Sequence, residues 1–125
     1  MDSELRAYDE IRSMARPGVR LSDMARTFER VLVEDGWELG RSTTHFDFHS
    51  QGMDTIERPW FAAEPPWGQS QDWPLEAGMV FSYHPKRRVK PAVAWGPGIN
   101  EDILITPAGA ERLSGDWNLR WRMMV

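Results

Sequence analysis

No cysteine occurs among the 125 residues, which excludes disulfides, thiolate nucleophiles and cysteine-bound zinc. A chain without thiols suits a reducing compartment, and the cytoplasm is the expected location. No apolar run approaches the roughly 18 residues that a membrane span needs, and the charged start of the chain is no signal peptide. A basic surplus is missing too: 15 Lys and Arg stand against 19 Asp and Glu, for a net charge of −4. Phosphate binding wants the opposite sign, so neither nucleic acid nor membrane is an expected partner. No internal repeat and no low-complexity segment breaks the chain.

What is present suits one soluble globular domain, with 41% hydrophobic and 27% charged residues. A chain of this size buries roughly two-thirds of its unfolded surface, enough for a single core. Seven tryptophans are many for such a core, so more than one is expected near the surface.

Leu5, Tyr8, Ile11 and Met14 recur every three residues between charged neighbours and predict an amphipathic helix over residues 3–15. Pro17 and Gly18 stop it. A second helix is expected to start with Ser22 as N-cap, to show Ala25, Phe28, Val31 and Leu32 on one face, and to end at Gly36. The helical period then disappears. Phe46, Asp47, Phe48 and His49 alternate as a short strand. Residues 59–74 are rich in proline and tryptophan and read as a long surface loop. Further strands are expected over 79–84, 92–95 and 102–106, with a turn at 96–98 and a closing turn at 107–109. Residues 115–125 are a C-terminal tail or a last strand. Helices first and antiparallel strands after them imply an α+β fold.

The basic run at 85–91 reads as a solvated loop between two strands. Trp60, Trp67 and Trp73 either line a pocket for an apolar or cationic ligand or fill a gap in the fold. His45, His49, His84 and Glu57 invite a metal site. On a strand, however, residues four apart lie about 13 Å from one another, too far for one ion.

The stretch on which the chain turns starts at His49, passes Gly52 and ends at Glu57, Arg58 and Pro59. A histidine near a glycine marks a place where backbone and ligand can approach closely. Together with Pro17, Gly18 and Val19, with Leu75, Gly78, Met79, Val80 and Phe81, and with the 101–106 and 109–113 segments, this stretch resembles the pita-bread family. That family holds methionine aminopeptidases, Xaa-Pro peptidases and creatinase. The resemblance runs over about residues 5–114. It implies two helices packed on a curved antiparallel sheet, equivalent to the C-terminal half of a pita-bread domain.

The resemblance also implies departures. Catalytic members hold two metal ions with two aspartates, histidines and two glutamates, and both aspartates belong to a first half that this chain does not match. His49 falls on the metal-binding histidine. Ile56 falls on the second histidine, and His84 stands where the family has glutamate before proline. The last ligand glutamate falls on Asn100, or on Glu101 with one residue deleted. Hard divalent ions need several carboxylates, so the expectation is no metal and no other cofactor. Creatinase uses the histidine equivalent to His49 as acid and base without metal, and a neutral imidazole suits that work.

The implied function is therefore a hydrolase acting on a peptide or a small C–N substrate. His49 is the expected proton-transfer residue, and His84, Glu57 and Glu101 are the expected substrate contacts. The rival is a non-catalytic half-domain or binding module that keeps only the fold. The implied partner is a second identical chain or a missing N-terminal half.

Overall fold

Helix α1 (Asp2–Met14) and helix α2 (Leu21–Glu34) lead the computed structural model, which describes residues 2–39, 44–53, 57–62, 71–89, 94–95 and 99–115. The apolar spacing does what it predicts: Leu5, Tyr8 and Ile11 of α1 are buried, as are Ala25, Phe28, Val31 and Leu32 of α2. Gly36, with a φ of 80°, terminates α2 in a conformation that costs other residues energy. Neither helix is long and apolar enough to cross a membrane.

The start of α2 departs from expectation. Its N-cap is Arg20, and Ser22 lies inside the first turn. The Ser22 N–H donates to Asp72 Oδ1 at 2.9 Å, and the Arg20 N–H donates to Asp23 Oδ2 at 3.1 Å. Arg20 Nε also donates to Asp72 Oδ2 at 2.9 Å. The acceptor that serves the helix end thus comes from 50 residues downstream, where local sequence patterns cannot reveal it. Burial pushes the Asp72 carboxyl up, but the bonds from Arg20 and Ser22 outweigh it and hold the group below its ordinary value. Beside it, Gly18 N–H donates to Leu75 O at 2.9 Å and Leu75 N–H donates to Val19 O at 2.8 Å. The turn between the helices is thereby tied to the segment that leads into the sheet.

The main sheet is antiparallel, in the order β3-β2-β4-β7-β8, with β2 at Asp47–Ser50, β3 at Glu57–Ala62, β4 at Val80–Tyr83, β7 at Glu101–Thr106 and β8 at Gly109–Arg112. A smaller sheet has the order β1-β5-β6, with β1 at Thr44–His45, β5 at Lys86–Val89 and β6 at Ala94–Trp95. Two loop expectations are corrected by these strands. The basic run is no solvated loop, because β5 pairs with β1 on one side and β6 on the other. Backbone pairing on both sides makes a strand whatever charges its side chains carry. The proline-rich stretch begins as strand β3, whose place at the sheet edge lets Pro59 do without a ladder N–H. Residues 63–70, the 96–98 turn and the tail at 116–125 lie outside the described residues.

Successive strand residues face opposite sides, and cross-strand partners share a side. Phe48 pairs with Tyr83, and Phe81 pairs with Ile103, so these face the helices. Their rings form one aromatic layer with Tyr8, Phe28 and Phe46. The Phe48 and Phe81 centroids stand 4.6 Å apart, Tyr8 and Tyr83 5.3 Å, and Phe28 and Phe46 5.8 Å. His49, Ser82 and Asp102 pair across the other side.

Two hydroxyls of the aromatic layer, those of Tyr8 and Tyr83, are buried and find no hydrogen-bond partner among the described residues. Burial, reinforced by the Glu4 carboxylate, pushes the Tyr83 phenol well above its ordinary value. Tyr8 is raised as well, by burial first and then by Glu101. In the unfolded chain both phenols ionise near their ordinary value, whereas the folded chain keeps them protonated. Stability is therefore complete below about pH 10 and falls as the pH rises above it. Thermal melts across the alkaline range should show Tyr83→Phe losing less stability above that pH than the unaltered chain. Parallel alkaline losses in the two would contradict this.

Candidate functional site

The side of the sheet away from the helices carries His49, Ser82 and Asp102. His49 sits on β2 between Trp60 of β3 and Ser82 of β4. The pairing of β2 with β3 shifts between His49 and Ser50: Trp60 faces His49, but Glu57 faces Ser50. Arg58 and Pro59 are the extra residues of this bulge, a device that re-aims neighbouring side chains. The His49 side chain is almost fully buried, at 4% exposure. Its Nδ1 lies 3.0 Å from the Ser50 carbonyl oxygen. A carbonyl only accepts, so Nδ1 carries the proton and Nε2 keeps its lone pair.

His84 follows β4 directly. Its backbone N–H donates to the Asp47 carbonyl at 3.2 Å. The two imidazoles meet edge to face, with ring centroids 4.7 Å apart and planes at 68°. Asp47 lies two residues before His49 on the same side of β2 and is buried, at 7% exposure. Its Oδ2 stands 3.8 Å from His84 Nδ1, and its Oδ1 accepts the Trp60 indole N–H at 2.9 Å. Next along, Ser82 Oγ donates to Asn100 Oδ1 at 3.1 Å.

Of the four expected site residues, the fold brings two together, His49 and His84. Glu101 is not with them. It pairs with Tyr83 in the β4–β7 ladder and therefore lies on the helix side of the sheet. There its carboxylate accepts the Arg112 Nε–H at 3.2 Å and the Ser114 hydroxyl at 2.6 Å. Its neighbour Asn100 is the one that reaches the His49 side, through Ser82. Glu57 pairs with Ser50, and its carboxylate occupies the space over Gly52, where any Cβ would overlap it. The close approach that this glycine permits is taken by the chain's own carboxylate. Sequence reasoning missed Asp47 and Ser82 as members of the group, and left Asn100 and Glu101 as alternatives for one position. The alternation of Asp47 with His49 was a legible signal; the Ser82–Asn100 contact required strand register. His45 lies on β1, in the smaller sheet.

Two helices over one face of a five-stranded antiparallel sheet, with paired histidines on the other face, define a half pita-bread domain. A family model described as metallopeptidase family M24 matches residues 1–107, and the chain belongs to that family. Among solved structures, it is similar to the dipeptidase PepE from Mycobacterium ulcerans, at 25% identity with a TM-score of 0.68, covering 89% of this chain and 27% of that one. It is also similar to the X-Pro aminopeptidase from Thermotoga maritima, at 20% identity with a TM-score of 0.74, covering 95% of this chain and 31% of the other. The prolidase from Pyrococcus horikoshii gives 24% identity and a TM-score of 0.73, covering 95% and 32%. The chain thus spans less than a third of each of these peptidases. No curated protein matches it.

A metallopeptidase family implies metal, and the donor set here does not fit a two-metal centre. Among the described residues, no group of three His, Asp or Glu side chains is placed to hold an ion. Glu101 is committed to Arg112 and Ser114 on the far side of the sheet, and Asn100 offers a neutral amide. One carboxylate, Asp47, and two imidazoles do not neutralise a pair of divalent cations.

The Gly52–Glu57 packing is directly testable. Gly52 is exposed and what a Cβ there would meet is the movable end of the Glu57 side chain, so Gly52→Ala should cost only about 1 kcal/mol or less. Adding Glu57→Ala to it should recover most of that loss in urea denaturation, since the overlapping carboxylate is then gone. Additive losses would show that the carboxylate is not what fills the space.

Proposed function

We propose that this chain is a peptidase-like hydrolase of the M24 family that acts on a peptide or small C–N substrate by imidazole proton transfer, without the two-metal centre. The observation that carries the proposal is the 3.0 Å contact of the buried His49 Nδ1 with Ser50 O. With Nδ1–H held by Ser50 O, Nε2 is a base inside a buried site. In hydrolysis of a C–N bond, Nε2 takes a proton from water as the water oxygen bonds to the substrate carbon. The C–N bond then breaks, and the same proton passes to the leaving nitrogen. His84, packed edge-on to His49, is the substrate contact. The family and the peptidases similar in structure support a hydrolase; the whole enzymes are about three times longer, so the activity assigned here is a proposal.

His49→Ala should lower turnover of dipeptide and amide substrates by ~100-fold or more while leaving the melting curve in place, and added manganese or cobalt should not restore it. Full activity in that variant would remove His49 from the chemistry. No turnover in the unaltered chain, with or without metal, would favour the binding-module reading.

We also propose that a second copy of the chain covers the His49 side of the sheet in a two-fold dimer. In support, both described helices lie on the opposite side of the sheet from His49, and the chain is less than a third the length of the similar peptidases. Sedimentation across a concentration series should show a dimer; a compact monomer at every concentration would refute it.

A further inference from the structure

We propose that Trp60 is the specificity-determining wall of the His49 site, and that its indole face takes an apolar side chain next to the scissile C–N bond. The proposal rests on the reading of the His49 side of the sheet as the substrate side, and it names the class of group that this side selects.

Trp60 and His49 are direct partners in the β2–β3 ladder, so both side chains leave the sheet on one side, with Cβ atoms roughly 5 Å apart. The neighbouring Phe61 takes the other side, where its ring centroid lies 6.3 Å from that of Phe46 in the aromatic layer. Trp60 is thus no part of the core beneath the helices. It is half-buried, which leaves part of it open to a ligand. The residue is held at both ends. Its Nε1–H donates to Asp47 Oδ1 at 2.9 Å, which directs the indole edge towards the residue two places before His49. Its backbone carbonyl accepts the Gln71 N–H at 2.9 Å. The next residue, Asp72, accepts from Arg20 Nε and from the Ser22 N–H, each at 2.9 Å. Trp60 is tied through this strap to the start of α2, so little freedom remains to be lost when a ligand settles on the ring. An indole has one polar atom, its N–H, and Asp47 has taken it. What the ring can still offer is a flat hydrocarbon surface, which gains from contact with apolar groups. A substrate with glycine beside the scissile bond has nothing to lay there, whereas one with phenylalanine has.

Binding of three amides to the full chain tests this: N-acetyl-phenylalanine amide, N-acetyl-glycine amide and N-acetyl-lysine amide. Trp60 gives one of seven tryptophan indole N–H signals in a proton–nitrogen NMR spectrum, identified as the one absent from Trp60→Phe. The phenylalanine amide should move that signal and bind roughly tenfold more tightly than the glycine amide. In Trp60→Ala this ratio should fall towards one, and in Trp60→Phe, which keeps a flat ring, most of it should remain. A purely structural role would weaken both amides alike in Trp60→Ala and leave the ratio in place, which would overturn the proposal. So would equal binding of the phenylalanine and glycine amides by the unaltered chain, tightest binding of the lysine amide, or a Trp60 signal that does not move. If Trp60→Ala does not fold, the ratio and the signal shift in the unaltered chain decide. Failure of the proton-transfer reading looks different: His49→Ala would retain turnover whichever amide is preferred.

Discussion

Strand β2 is the constraint on which the rest depends. It has only four residues, Asp47–Ser50, but it pairs with β3 on one side and β4 on the other. Two-residue alternation therefore sorts its side chains absolutely. Phe48, with Phe46 just before the strand, enters the aromatic layer beneath the helices, while Asp47 and His49 go to the other side. A shift of one residue would bury the imidazole among phenyl rings and expose the phenylalanines. The stacked contact of Phe48 with Phe81 and the large buried rings around it make that shift costly, so the hydrophobic layer sets the geometry of the polar one.

The two sides of the sheet use carboxylates differently. Glu101, on the helix side, is a structural anion: Arg112 and Ser114 both donate to its Oε2 and clamp the β7–β8 hairpin. Burial demands such partners, since an uncompensated charge in a core costs several kcal/mol. Asp47, on the other side, accepts the Trp60 indole N–H at 2.9 Å and stands 3.8 Å from the His84 imidazole. Glu57 is packed against the glycine turn. None of the three is placed with the histidines so as to make a cation cage. Membership of a metallopeptidase family thus stands beside described residues that include no group of three His, Asp or Glu side chains placed to hold an ion. The physical route between them is short, because the fold presents whichever side chains stand on this side of the sheet.

Much was determined by the sequence itself. The three-residue apolar spacing of Leu5, Tyr8 and Ile11, and the stripe of Ala25, Phe28 and Leu32, dictate two amphipathic helices, because a helix must bury one face. The alternation from Phe46 to His49 dictates a strand with one apolar side. The order of these pieces, with the glycine and proline positions between them, was enough to show the family and the half-domain fold. His49 stood out as a candidate by the same order of pieces, and the fold sets it beside His84.

What only the tertiary structure decided was everything that depends on contact across distance. Asp72 serves the start of α2 from far down the chain, so the helix begins at Leu21 and not after Ser22. The basic run became a strand because partners lie on both sides of it, and Pro59 was admitted because β3 is an edge. Glu101 and Asn100 are adjacent in sequence and equally suited to a site. Their pairing with Tyr83 and their contact with Ser82 send one to the core side and the other to the histidines. Asp47 looked like a polar spacer between phenylalanines until the ends of β2 and β4 were brought together. A sequence carries the period of each element, but the register between elements is a property of the packed sheet, and the register places the charges.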